Sequence, residues 1–491
     1  MLATTRTTQG PKQALHPVAD RDTAIWLGGL LLVALILRLI ALNAGLWLDE
    51  MLTNVLYARQ PLAQILSTYD SENQHLLYSV LARLSFLGFG ESAWALRLPA
   101  VLFGVASLAA LYAFGRHVAG RREALLATAL LTFSYHHVWF SQNARGYTGL
   151  LFWTLLSSWL LLRAFEVPSV TRWLQFAGAA ALGVFTHLTM LFVIAGQGAA
   201  YFLHILLSPG GRREDRGRGL LAGFVGAGVA TVILHAPVLP KVLHTVQHET
   251  SAATALWQNP LWTVMEALRV LQVGALGGAF LVAGAVLVGA GLISYAKERP
   301  VVIELLLLPA LLGAAVVVGM GHHLWPRFFF FAAGFGALVV VRGGLVLGRA
   351  LGRLLRLADR QRERLALMAP VGMIVLSAAS VPLAYGPKQD YRAALDYVES
   401  HRAPGDAVAV VGIAVFPYTR YYHTDWTEVA DSARLDALRA HASRTWLVYT
   451  FPPEMNQQHA QIARAIQADF QTVATFEGTL SGGAVYVTRS R

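Results

Sequence analysis

At 491 residues, 55% hydrophobic and only 14% charged, with a mean hydropathy of +0.50, the chain is too apolar for a soluble globule and must place much of itself in a bilayer. The absence of cysteine excludes disulfides, thiolate catalysis and cysteine-ligated metal. A formal charge of +11, from 39 basic and 28 acidic residues, would suit a nucleic-acid binder, but the surplus Arg falls mostly in short loops between apolar runs, where it orients a membrane protein; no nucleic-acid partner is expected.

The apolar runs predict about eleven spans, near 24–43, 93–115, 123–141, 147–165, 173–187, 188–207, 219–239, 274–295, 301–320, 328–348 and 366–385. They follow a polar N-terminal tail, 1–23, expected in the cytoplasm. With the tail there, the same side receives Arg116, Arg121 and Arg122, then Arg163 and Arg172, Arg212, Arg213, Arg216 and Arg218, Lys297 and Arg299, and the run from Arg349 to Arg364. The opposite side receives the acids of 43–91, the His-rich stretch 241–250, the segment 321–327 and the C-terminal tail. The first run lacks a small-residue cleavage site and reads as a retained helix. Arg38 inside it is costly in lipid and should face the bundle or snorkel.

Just beyond that run stands Leu46-Trp47-Leu48-Asp49-Glu50, two adjacent carboxylates at the membrane edge opposite the N-terminus. Neighbouring acids in a partly desolvated place raise the pKa of one of them, so one could take a proton from an acceptor hydroxyl while the other orients it; helix capping or a surface ion pair is the alternative. The rest of 43–92 alternates apolar and polar residues at helical spacing, which predicts helices in the interface plane roofing a cavity. Within it, Asp70 and Glu72 in Tyr69-Asp70-Ser71-Glu72-Asn73-Gln74-His75 could bind sugar hydroxyls or simply face water.

Ser141-Gln142-Asn143-Ala144-Arg145-Gly146-Tyr147 joins the third and fourth spans on the same side. There the Arg145 guanidinium and the free N–H groups of a helix start could grip a phosphate, with Gln142 and Tyr147 as hydrogen-bonding neighbours. In His322-His323-Leu324-Trp325-Pro326-Arg327-Phe328, Arg327 opens a late span and would neutralise further phosphate charge. The pairs His136/His137 and His322/His323, with His244 and His248, have no fixed carboxylate or thiolate partner, so no metal site is assigned. From Gly386 to Arg491 helix-like windows (390–401, 432–441, 457–468) alternate with strand-like runs (407–411, 446–449, 472–476, 484–487), predicting a small soluble α/β domain.

Arg38 leading into Leu46–Glu50, then Asn73-Gln74-His75-Leu76-Leu77-Tyr78, Gln142–Tyr147, and a tail with Gln389-Asp390-Tyr391-Arg392-Ala393-Ala394 and Pro404-Gly405-Asp406 together resemble one family. It is the GT-C class of polytopic α-helical membrane glycosyltransferases, in the branch of bacterial relatives of protein O-mannosyltransferases and the aminoarabinose transferase that modifies lipid A. Leu76-Leu77 stands where relatives often have Pro-Pro, and Phe328 where a Tyr often follows the late Arg.

The resemblance implies a multi-pass protein of the bacterial inner membrane, with 24–385 as the catalytic transmembrane domain and 386–491 as an extracytoplasmic domain. Its reaction would be inverting transfer of a hexosyl or pentosyl group from a polyprenyl-phosphate carrier to a hydroxyl of a lipid, glycan or protein acceptor. Asp49 would be the base, Glu50 its neighbour in the acceptor site, and Arg145 and Arg327 the holders of the donor phosphate. His75 and Tyr147 would line the same cavity. No cofactor is required by this chemistry, although a divalent cation is possible. The alternatives are a lipid-linked-saccharide flippase, for which related halves and broken helices would be expected and are not seen in the sequence, and a polysaccharide ligase, for which the loop 241–274 is modest.

Overall fold

The computed structural model describes residues 17–207, 217, 219–248 and 277–491. Most of the N-terminal tail, Arg212, Arg213, Arg216, Arg218 and most of the loop 241–274 lie outside the described residues. The helical part runs α1 (Pro17–Leu39), α2 (Leu48–Leu52), α3 (Leu62–Ile65), α4 (Leu76–Phe89), α5 (Ala93–Ala119), α6 (Arg121–Thr132), α7 (Tyr135–Ser141) and α8 (Tyr147–Glu166). It continues with α9 (Val170–Thr186), α10 (Met190–Leu207), α11 (Gly226–His235), α12 (Leu239–His248), α13 (Gly277–Glu298), α14 (Pro300–Gly319), α15 (Ala333–Leu354) and α16 (Asp359–Ser380). α5, α8 and α15 are the most buried spans and share a core that includes Leu111, Phe114, Leu151, Leu155, Phe335 and Leu338, while α1, α13 and α16 form the rim. Gly291 of α13 and Gly343 of α15 bring two backbones together, since a Cβ at either would strike a carbonyl of the other helix.

Among the described residues seven helices are long and apolar enough to cross a membrane, or eight if one bent pair counts as a span. That is fewer than the eleven runs in the sequence, for local reasons. α9 has 17 residues, short of the roughly 20 that a span needs. The run 123–141 breaks between α6 and α7, where Ser134 caps α7 by accepting the His137 N–H. Near 219–247 the helices turn by 95° at Ala236-Pro237-Val238, because proline cannot donate into a continuing helix. The sequence reading contained no broken helix, and this one corrects it.

Arg38 is what the break between α6 and α7 requires. Its guanidinium is buried and donates to the carbonyl oxygens of Ala34 (2.9 Å) and Thr132 (3.3 Å) and to Ser141 Oγ (3.2 Å), and it lies 2.6 Å from His137 Nδ1. It therefore faces the bundle interior, where it satisfies a helix-end carbonyl that lipid could not.

A second arginine organises the opposite edge. Arg97, in the first turns of α5, spends all five donors: Nε and Nη2 on the Glu50 carboxylate (2.7 and 2.6 Å), the rest on the carbonyls of Leu42, Ala44 and Gly45 (2.8–2.9 Å). Glu50 also accepts the backbone N–H of Ala144 at 2.8 Å and is fully buried. Burial would raise the Glu50 carboxyl, but Arg97, with Lys388 behind it, holds it below its ordinary value. One ion pair thus joins the start of α5, the loop 42–50 and the loop before α8.

The C-terminal unit is a five-stranded sheet of β1 (Ala407–Val410), β2 (Thr427–Glu428), β3 (Thr445–Thr450), β4 (Phe470–Phe476) and β5 (Val485–Ser490). The order is β2-β1-β3-β5-β4, with β1 parallel to β2 and β3, and β5 antiparallel to β3 and β4. It carries α17 (Tyr391–His401), α18 (Ser432–Ala440), α19 (Pro452–Gln458) and α20 (Ala460–Asp469). The two-residue β2 and the short α19 are absent from the sequence reading; the other strands and helices stand where their periodicity put them.

Side-chain alternation gives the sheet two apolar faces. Val408, Val410, Trp446, Val448, Val485 and Val487 share one cluster with α17 and with Leu46, Met51, Tyr78 and Leu96 of the membrane part, so the sheet is seated on the segment that carries the paired acids. At the junction Lys388 Nζ donates to the Gln142 carbonyl at 2.7 Å and lies over the Trp139 ring, and Trp139 Nε1 donates to Thr479 Oγ1 at 2.8 Å.

Replacing Arg97 with Met strands a buried carboxylate, so stability should fall by about 3–5 kcal/mol. The double replacement with Glu50→Met should cost less than the sum of the single changes, read as unfolding midpoints in detergent. Additive losses would show that the pair is not coupled. Burial pushes the Lys388 ammonium down to about 7, Glu50 opposing and Arg97 assisting. Its unfolded pKa, about 10.4, is higher, so the folding penalty is full below pH 7 and fades as pH rises towards 10. Raising pH from 7 to 9 should therefore stabilise wild type relative to Lys388→Met, by up to about 2 kcal/mol. A pH-independent difference between the two proteins would contradict this.

Candidate active site

Asp49 lies in the first turn of α2 with its side chain 14% exposed, and its Oδ2 stands 3.4 Å from Arg327 Nη1. Arg327 opens the 3-10 turn Pro326–Ala332 that leads into α15, and its guanidinium rests on the Trp325 ring, 4.9 Å from the centroid. Residues 278 positions apart are brought together by the bundle.

Asn73 ties the second guanidinium to the same place. Arg145 Nη1 donates to the Asn73 carbonyl at 2.8 Å and to its side-chain oxygen, while Asn73 Nδ2 donates to the Asp49 carbonyl at 3.3 Å. Arg145 is buried and lies 5.9 Å from the Tyr147 ring centroid. His75 Nδ1 accepts the Gly146 N–H at 2.9 Å, and its ring meets those of His187 (4.3 Å) and Tyr147 (5.7 Å) edge-on. Burial, together with Arg145, His187 and Arg327, pushes the His75 imidazole well below its ordinary value, so it is neutral at pH 7.

Of the nine residues singled out in the sequence, the fold brings Asp49, His75, Arg145, Tyr147 and Arg327 into this cluster. Glu72 sits on its rim, 48% exposed, 3.8 Å from His322 Nδ1. Asp70 is exposed in the loop between α3 and α4.

Two residues have other work. The Glu50 carboxylate, expected beside the acceptor, is consumed by Arg97 and the Ala144 N–H and acts as a positioning group. The Gln142 amide, expected on substrate, donates to the carbonyls of Arg38 (3.1 Å) and Ile40 (2.6 Å), closing the C-terminal end of α1. Arg97, Asn73, His187 and Trp325 are the residues that sequence reasoning missed. A lone Arg five residues past the Ser92 cap, within an apolar run, was the available signal for Arg97. Among the described residues no group of three or more His, Asp or Glu has metal-binding geometry.

The arrangement can hold an anion. Nε of Arg145 and of Arg327 are both buried without a hydrogen-bond partner among the described residues, and both guanidiniums act electrostatically on His75 and His187. A carboxylate able to accept a proton stands at the edge of this positive region.

Residues 73–239, about a third of the chain, match the family model for dolichyl-phosphate-mannose-protein mannosyltransferase. No curated protein matches the chain. The fold is similar to that of ArnT from Cupriavidus metallidurans bound to undecaprenyl phosphate, with TM-score 0.52, 14% identity, and 95% of this chain and 98% of that chain covered. The apo form of the same protein gives TM-score 0.54 at 14% identity, covering 96% and 98%. It is also similar to the archaeal oligosaccharyltransferase AglB from Archaeoglobus fulgidus in complex with an inhibitory peptide and a dolichol-phosphate, with TM-score 0.55, 13% identity, and 96% and 74% covered. The chain therefore has the GT-C fold, and the resemblance found in its motifs, to glycosyltransferases of the ArnT and protein O-mannosyltransferase type, holds at that level.

Gly146 is the glycine on which the cluster depends. A Cβ there would lie 2.5 Å from His75 Nδ1 and 2.7 Å from the Thr186 carbonyl, which is backbone and cannot give way. Gly146→Ala should lower stability by about 1–3 kcal/mol in a denaturant titration. An unchanged midpoint would mean that the His75 seat is looser than its geometry.

Proposed function

We propose that the chain is an inverting glycosyltransferase that moves a sugar from a polyprenyl-phosphate carrier to an acceptor hydroxyl. What carries the reading is one juxtaposition, the Asp49 carboxylate 3.4 Å from Arg327 beside a second guanidinium, Arg145, with a buried unpaired Nε on each arginine. The undecaprenyl phosphate of the ArnT complex and the dolichol-phosphate of the AglB complex agree with a lipid phosphate as donor. The Arg-rich loops agree with an active face on the extracytoplasmic side of a bacterial inner membrane, with residues 386–491 on that side. Lipid, glycan and protein hydroxyls all remain within the acceptor class.

In the resting site Asp49 and Arg327 neutralise each other. A bound donor phosphate competes for Arg327 and leaves the Asp49 carboxylate free to accept a proton. The acceptor oxygen attacks the anomeric carbon from the face opposite the phosphate while Asp49 takes its proton. The bond from the anomeric carbon to the phosphate oxygen breaks, and its electron pair stays on the phosphate. The leaving group gains negative charge in this step, which Arg145 and Arg327 stabilise more in the transition state than in the donor complex. The Tyr147 ring lies between the Arg145 guanidinium and the buried His75 ring, and this packing limits the water that can screen Arg145.

Asp49→Asn keeps the shape and removes the base. With radiolabelled polyprenyl-phosphate sugars and a membrane extract as acceptor source, sugar release should fall by about 10²–10⁴-fold while polyprenyl-phosphate binding is retained. Full activity in the variant would remove Asp49 from the mechanism, and failure of wild type to consume any such donor would overturn the glycosyltransferase reading.

A further inference from the structure

His187 lies in the short turn between α9 and α10. Its Nδ1 accepts the backbone N–H of Thr189 at 3.2 Å, so the ring is neutral and its proton resides on Nε2. That Nε2–H is buried and has no hydrogen-bond partner among the described residues. The ring is held from two sides, by His75 at 4.3 Å and by Tyr147 at 5.0 Å between centroids. Both site guanidiniums, Arg145 and Arg327, act on it electrostatically, and each of them also leaves a buried Nε–H unpaired.

Three buried N–H donors in one neighbourhood, all without an acceptor, are costly to maintain in a folded protein. The pattern fits a ligand that presents several acceptor oxygens at once, and a tetrahedral phosphate does so. We propose that His187 Nε2–H is a third, uncharged donor to the phosphate of the lipid-linked sugar, alongside Arg145 and Arg327. The assignment rests on the glycosyltransferase reading and makes the turn between α9 and α10 part of the donor site.

An uncharged donor has a purpose here. The donor phosphate is a diester with one negative charge, whereas the product is a phosphate monoester with up to two. A third cation would favour the product and slow its departure. A neutral N–H orients the phosphate without adding charge.

The test is direct binding of radiolabelled polyprenyl phosphate and of the corresponding polyprenol to the full-length protein in nanodiscs, with donor KM and kcat measured in parallel. His187→Ala should weaken phosphate binding by about tenfold, a loss of one ordinary hydrogen bond, and raise donor KM more than it lowers kcat. His187→Gln, whose amide restores an N–H, should recover most of the affinity, and polyprenol binding should not change. If His187→Ala binds the phosphate as wild type does while Arg145→Ala is weakened, His187 is not a phosphate donor. Equal weakening for phosphate and alcohol, or no rescue by Gln, would assign it a packing role and overturn the proposal. If wild type prefers neither the phosphate nor its sugar ester over the alcohol, the glycosyltransferase reading fails together with this one.

Discussion

The Arg97–Glu50 pair is the constraint on which the candidate site depends. Two charges with almost no solvent would be prohibitively costly apart, so wherever one goes the other must follow with complete hydrogen bonding. Arg97 is fixed in α5, an inner helix, and Glu50 is one residue from Asp49. The pair therefore fixes the position of the Asp49 turn relative to the bundle. Because Glu50 also accepts the Ala144 N–H, it fixes the loop that ends in Arg145 as well. A carboxylate held by Arg97 and the Ala144 N–H sets the spacing between the Asp49 turn and the loop that carries Arg145.

The same logic recurs at other depths. Arg38 compensates the break between α6 and α7, Gln142 closes the end of α1, and Lys388 links that loop to the sheet unit through the Gln142 carbonyl. Each polar group is buried where helix ends leave carbonyls exposed to a low-dielectric interior. In contrast, Arg145, Arg327 and His187 keep buried donors unpaired, and all three are in the candidate site. Most buried polar groups along this edge are satisfied, and three donors left unpaired among the described residues meet where a phosphate is proposed to bind.

Much of the architecture was legible in the chain. Apolar runs located the membrane part, the change of composition after Tyr385 located the sheet unit, and the strand-like runs anticipated four of its five strands. Asp49, Arg145 and Arg327 could be selected because charged groups at the ends of apolar runs are costly and so stand out. Glu50 stands out equally by that criterion and Gln142 lies beside Arg145 in the same motif, yet the polar atoms of both are spent inside the protein. Sequence position does not reveal which donor meets which acceptor. The described residues hold seven or eight helices long and apolar enough to cross a membrane against about eleven apolar runs in the sequence, and Ser134 and Pro237 mark helix breaks within runs that composition alone reads as continuous.

What the sequence by itself determined is the class of solvent each segment meets, since hydropathy and charge act locally and their free energies are set by residue type. It also supplied candidates for the chemistry that a phosphate and a proton would need, Asp49, Arg145 and Arg327 among them. Only the tertiary structure decided which of those groups converge. Arg327 reaches Asp49 across 278 positions, His187 joins His75 and Tyr147 from a different turn, and Arg97 takes up Glu50. Those pairings follow from the packing of α5, α8 and α15 and from the high cost of leaving buried charge uncompensated, neither of which belongs to any single stretch of chain.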